Sequence, residues 1–218
     1  MSGPTDNLNS IIEQVRQNLT AKDEAREKML PLCREAIRCS SEAIRAIHRQ
    51  EFENARDSLE SARKLLAEAE QALADSFELT NTGFLRDSQK EFVEANTVFS
   101  IITGKPLPTP SELGVDSAAY LNGLGEAASE MRRYLLDSMR KGDLSKGEEI
   151  LTAMDDIYSV LVSVDFPDAI TGGLRRTTDM LRGVLERTRS DLTLGITQQN
   201  LGQRIEKLEK NLKRQENS

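Results

Sequence analysis

Glycine and proline are nearly absent where a sheet or a loop-rich fold would need them. Between Asn7 and Ala74 the chain has no glycine and one proline, Pro31. Long helices can therefore run through the first third of the 218-residue sequence. Asp6 or Asn7 can cap a first helix carrying Leu8, Ile11, Ile12, Val15 and Leu19. Thr20 can cap a second, with Asp23 and Glu24 in its first turn and Pro31 as a kink or restart point. Glu51–Ala74 predicts a third, with Phe52, Ala55, Leu59, Ala62, Leu66, Ala69 and Leu73 at helical spacing. A fourth follows Thr82 and Gly83 and runs to Thr103, where Gly104 stops it. The stretch from Lys105 to Asp116 holds three prolines and a glycine, which predicts an irregular loop long enough to suggest a role. Further helices are expected from about Ser117 to Lys141, Ser145 to Val164 and Asp168 to Leu194, the last tolerating Gly172 and Gly173. No strand pattern occurs, and the expected class is all-α.

Composition agrees. Charged residues make up 30% and aromatics 4%, a balance suited to helices rather than a sandwich. The expected organisation is an N-terminal helix or arm over 1–20, one helical domain over 21–195 and an amphipathic helix or tail over 196–218. That tail repeats Leu201, Ile205, Leu208 and Leu212 between Glu and Lys. One His and two cysteines, Cys33 and Cys39, are too few for an ordinary zinc site or a disulfide scaffold. The expected setting is cytoplasmic and reducing, with no membrane partner, because no apolar run approaches the ~20 residues of a span. A net charge of −7 argues at first against nucleic acid. The charge is uneven, however. Lys22–Arg49 carries seven basic residues against five acidic, Asp143–Asp168 one against seven, and Ile170–Arg189 five against two.

Arg34, Arg38, Arg45 and Arg49 fall on one face of the second helix, away from Met29, Cys33, Ile37, Ile44 and Ile47. A guanidinium row suits phosphates, since each fork donates two parallel hydrogen bonds. The same row also reads as a solvated face partly neutralised by Glu35 and Glu42. His48, at its edge, has no catalytic partner at useful spacing and reads as a boundary residue.

Two carboxylate pairs stand out. Glu91 shares a stripe with Phe84, Val98 and Ile102, and Glu94 lies one turn on. A carboxylate in an apolar row is costly unless it is paired, hydrogen-bonded or bound to a cation. Glu126 and Glu130 stack four residues apart on the fifth helix, just after Gly123 and Gly125, which permit close approach of another helix or a ligand. Four such carboxylates suit Mg²⁺ or Mn²⁺. The lone His leaves a di-iron Glu-x-x-His set incomplete. Glu91 bridging to a Lys or Arg, and Glu126 and Glu130 forming a surface stripe with Arg133, are the plainer alternatives.

These segments resemble the translin superfamily, in particular the translin-associated factor X branch and its archaeal-type endoribonucleases. The matching pieces are Glu91-Phe-Val-Glu-Ala95, Tyr120-Leu-Asn-Gly-Leu124 with Glu126, Ser129-Glu-Met-Arg-Arg133, Lys141-Gly-Asp143 and Asp165-Phe-Pro167. The resemblance runs from about Ala25 to Leu194. It implies a seven-helix fold assembled into a hollow barrel, often an octamer, that holds single-stranded or short duplex RNA, or single-stranded DNA. The catalytic branch is a metal-dependent endoribonuclease, and Glu91, Glu94 and Glu130 match its catalytic carboxylates. Glu126 stands where that branch has Asp, keeping the charge on an arm longer by one methylene. Arg34 matches a basic position of the family, while Arg38 and Arg45 follow by geometry, with Arg132 or Arg133 as a further phosphate contact. The expected cofactor is Mg²⁺ or Mn²⁺, and the expected partners are RNA, further copies of the chain and a possible translin-type subunit. The alternatives are a catalytically inactive translin-like binder of RNA or single-stranded DNA, and a purely structural helical protein.

Overall fold

The computed structural model describes residues 3, 5–73 and 83–216, and every regular element among them is a helix. In chain order these are α1 (Leu8–His48), α2 (Phe52–Ala72), α3 (Gly83–Thr103), α4 (Pro110–Leu113), α5 (Ser117–Arg140), α6 (Gly147–Val162), α7 (Asp168–Thr171) and α8 (Leu174–Glu216). The expected helix end at Ala74 and the Thr82 before the fourth helix lie outside the described residues. The chain packs as two compact units, Met1–Gly123 and Leu124–Ser218, and α5 runs unbroken through the boundary.

In the first unit, the two helices expected before His48 are one helix of 41 residues with Pro31 inside it. Proline in a helix interior costs about 3 kcal/mol through a lost hydrogen bond and a ring clash. Pro31 is exposed, while Met29, Leu30, Cys33 and Ala36 on either side of it are buried. Each large side chain buried this way contributes about 1.5–3 kcal/mol, so packing keeps the helix continuous across the proline. The α1 terminus is closed by a Schellman turn: Gln50 N donates to Ile47 O at 2.9 Å and Glu51 N to Ala46 O at 2.9 Å. Gln50 takes the left-handed position of that turn, with φ 62°. The chain then reverses into α2, which buries Ala55, Leu59, Ala62, Leu66 and Ala69, the stripe expected from the sequence.

The proline-rich stretch before α5 is more regular than expected. Thr109 and Glu112 form a reciprocal capping box around the one-turn α4, and Gly114 ends it at φ 66°. Tyr120 Oη donates to Pro108 O at 2.8 Å and Lys105 sits 5.1 Å from the Phe99 ring centre, so the first part of the stretch is held at two points.

In the second unit, Met131, Leu135, Ile150, Met154, Leu161, Leu181 and Leu192 are fully buried. Gly172 and Gly173 are not absorbed into a helix. Both have positive φ and separate the short α7 from α8. Beyond them α8 runs 43 residues, from Leu174 to Glu216, into the stretch expected as an amphipathic helix or tail. Among the described residues no helix is long and apolar enough to cross a membrane.

Candidate metal centre and nucleic-acid face

α3 is fixed in the first unit by Leu85, Phe92, Val93, Ala95, Val98 and Ile102, all buried. A polar link adds to this packing. Gln89 Nε2 donates to Glu70 Oε1 on α2 at 2.7 Å, and Gln89 Oε1 accepts from the Asp116 backbone N at 3.3 Å. Gln89 thus ties α3 to α2 and to the residue before α5. Burial pushes the Glu70 carboxyl above its ordinary range, and the Gln89 hydrogen bond partly offsets that.

On this scaffold Glu94 is 9% exposed and Glu91, one turn earlier, is half-buried. Gly123 sets where α5 crosses α3. A Cβ there would lie 2.6 Å from Val93 Cβ and 2.7 Å from the Lys90 carbonyl oxygen, so only glycine lets the backbones approach this closely. Glu126 follows three residues later on the same unbroken helix. Glu91, Glu94 and Glu126 each offer a carboxylate oxygen, all within 4.8 Å of one another. Glu130, one turn further along α5, stands outside that trio, with its Oε2 3.8 Å from Arg133 Nη1. Gly125 serves the second unit in the same manner, since a Cβ there would meet Thr177 Cγ2 of α8 at 2.5 Å.

The donor set suits a hard divalent cation: it is all oxygen and partly withdrawn from water, in a span one ion can bridge. No His or Cys is among the three, which disfavours zinc.

The arginine row on α1 divides. Arg38 is held by Glu35 and Glu42, with Nε donating to Glu35 Oε2 at 2.8 Å. That hydrogen bond keeps the Glu35 carboxyl below its ordinary range and raises the guanidinium further. Arg49 is engaged by Glu51 at 2.8 Å. Arg34 and Arg45 are exposed, and no ion pair is made by either among the described residues. Arg132, next to Arg133, is tied to Asp191 at 2.7 Å and so braces α5 against α8.

No family model matches the chain. An uncharacterised protein of Methanocaldococcus jannaschii is 31% identical over 210 residues, covering 96% of this chain and 88% of the relative. Among solved structures, AfC3PO from Archaeoglobus, in a complex with duplex RNA, superposes with a TM-score of 0.76 at 33% identity, covering 85% of this chain and 96% of that one. The chain belongs to the translin superfamily. NeC3PO from Nematostella, in its apo form, has a TM-score of 0.73 at 19% identity and shares the fold, covering 89% of this chain and 99% of its own.

The link through Gln89 has no signal in the sequence. Its partner Glu70 lies nineteen residues back on another helix, and no local spacing connects the two. Neutralisation of Arg38 was legible, because Glu35 and Glu42 sit three and four residues away.

Proposed function

We propose that this chain is a metal-dependent endoribonuclease of the translin-associated factor X type, holding RNA inside a homo-oligomeric barrel, an octamer on the family pattern. The observation that carries the metal reading is the carboxylate trio Glu91, Glu94 and Glu126 at the α3–α5 crossing. RNA as the substrate is supported by the likeness to AfC3PO, whose solved complex contains duplex RNA.

In this reading Glu91, Glu94 and Glu126, with Glu130 one turn on, hold Mg²⁺ or Mn²⁺. A cation bound there would lower the pKa of a bound water and stabilise charge on the phosphoryl oxygen. Glu126, one methylene longer than the Asp of the catalytic branch, reaches the trio from one turn past Gly123. Arg34 and Arg45 bind backbone phosphates, with Arg133 near Glu130 and Arg38 contributing less because two carboxylates already share its charge. Few aromatic side chains are available to stack on bases, so recognition is led by the sugar-phosphate backbone. Single-stranded DNA then binds by the same contacts, and a translin-type subunit can share the assembly.

The test is cleavage of a labelled RNA oligonucleotide with Mn²⁺ and then with EDTA. Glu91→Gln/Glu94→Gln is expected to bind RNA as the wild type does and to lose more than about 100-fold in cleavage, beyond what outer-shell partners cost. Unchanged cleavage by that variant would overturn the site. Binding without Mn²⁺-dependent products from the wild type would make the chain a binder only.

A further inference from the structure

Among the described residues the last part of α8 is exposed to solvent along its whole length. Leu192 is buried, but from Thr197 to Gln215 every residue is exposed, and the helix continues to Glu216. At 1.5 Å per residue the helix extends roughly 36 Å past Leu192. A solitary helix of this length is marginal in water. Gly202, mid-helix with open space around it, weakens it further. Leu201, Ile205, Leu208 and Leu212 are nonetheless between 48% and 62% exposed.

Their spacing is four, three and four, which is the heptad alternation of d and a positions. Leu194, also exposed, extends the d series by one heptad. The d positions are then Leu194, Leu201 and Leu208, and the a positions are Gln198, Ile205 and Leu212. In the central heptad, β-branched Ile205 at a beside leucine at d is the combination that favours two parallel strands over higher orders. The flanks agree. Arg204 falls at g and Glu209 at e, five residues apart. They cannot meet on one helix, where partners lie three or four apart. Neither makes an ion pair among the described residues. In a parallel, in-register pair the g position of one strand faces the next e position of the other, so Arg204 meets the second copy's Glu209 on both sides. An antiparallel pair sets g beside g and e beside e and offers no such match.

We infer that the exposed segment of α8 pairs with the same segment of a second copy as a short, parallel two-stranded coiled coil. This junction lies outside the carboxylate and arginine site and does not depend on it. The exposed N-terminal seam of α1, Leu8, Ile12, Val15 and Leu19, has the same spacing. Its flanking positions are Asn9, Ile11, Arg16 and Asn18, which offer no comparable pair of opposite charges.

The experiment is disulfide trapping in the full chain. Leu201→Cys and Leu208→Cys are made separately, oxidised and run on a non-reducing denaturing gel, with wild type as control for the buried Cys33 and Cys39. Facing d positions of a parallel pair lie within the Cα separation a disulfide needs, about 4.4–6.8 Å. Both variants are expected to give covalent dimers, and the outward Lys210→Cys is not. A dimer from only one of the two indicates antiparallel pairing and overturns the proposal. So does a dimer from neither while circular dichroism shows the fold intact, or efficient trapping between Ile12→Cys and Leu208→Cys chains instead. Adding Arg204→Glu to Leu208→Cys is expected to lower the dimer yield, and adding Glu209→Arg as well to restore it. Failure of that restoration counts equally against the pairing. RNA binding by these variants is expected to match wild type, so loss of the junction and loss of the proposed activity are read separately.

Discussion

Two acidic regions of this molecule carry similar charge and stand in opposite physical situations. α6 opens with Glu148 and Glu149 and continues with Asp155 and Asp156. The two glutamates face water in the first turn, where the helix dipole favours them, and Asp155 meets Arg189 at 3.2 Å. Glu91 and Glu94 on α3, with Glu126 on α5, are fewer but are partly or wholly withdrawn from water, with their oxygens close together. Carboxylates in solvent keep a protein soluble and cost little. Carboxylates gathered on a packed helix repel one another and lose hydration, a cost that a bound cation offsets. Burial and convergence, rather than the amount of charge, separate a candidate site from a surface.

The largest expected effect tests that contrast through metal-linked stability. Adding Mn²⁺ to wild type is expected to raise Tm, because a ligand that binds only the folded state contributes about 2.7 kcal/mol at a concentration one hundred times its Kd. Glu91→Gln/Glu94→Gln is expected to abolish that rise, and Glu148→Gln/Glu149→Gln to leave it whole. Differential scanning calorimetry with and without EDTA reads both. Equal Mn²⁺-induced shifts in the two double variants would erase the distinction between the regions.

A second, smaller effect concerns the glycines that set helix spacing. Gly123→Ala would push a methyl into Val93 and the Lys90 carbonyl, and overpacking of this kind costs about 1–3 kcal/mol. Gly183, inside α8 with nothing within 4 Å of its would-be Cβ, is the counterpart. Gly183→Ala is expected to gain up to about 1 kcal/mol from helix propensity alone. Urea unfolding of both variants gives the two signs. Gly123→Ala should also weaken the Mn²⁺ response, since it moves α5 off the backbone that carries Glu91 and Glu94. A stable Gly123→Ala protein with an unaltered Mn²⁺ response would show that the close crossing does not position the carboxylates.

How much of this was legible in the sequence follows from the range of each interaction. The all-helical class was, because scarce glycine and proline act locally and the buried stripe of α2 can be read from its spacing. The unity of α1 was not. Thr20 and Pro31 are valid stop signals in isolation, and only burial of Met29, Leu30, Cys33 and Ala36 around Pro31 overrides them. Gly172 and Gly173 erred in the other direction, for two adjacent glycines with positive φ end a helix that hydropathy alone would continue. At the site, Glu91 was visible as a charge in an apolar row. The approach of Glu126 to it depends on a helix crossing at Gly123, and the brace through Gln89 depends on Glu70 from another helix. Both are tertiary facts with no local signature.

The smallest expected effect divides the arginine row. If phosphates are held by guanidinium groups free of carboxylates, Arg34→Ala and Arg45→Ala each remove one phosphate contact. Each should weaken RNA binding and reduce the slope of log affinity against log salt by about 0.7–0.9. Arg38 already shares its charge with Glu35 and Glu42, so Arg38→Ala releases two carboxylates as it removes one cation. Its salt slope should change less, although the added negative charge on that face still lowers affinity at low salt. Fluorescence anisotropy of a labelled RNA across a salt series separates these outcomes. Three variants with the same slope change would mean that ion pairing on α1 does not select which arginines meet phosphate. The Glu35→Gln/Glu42→Gln double variant completes the argument from the opposite side. It frees Arg38 without removing any cation, and binding should strengthen if Arg38 shares an RNA-facing surface with Arg34 and Arg45.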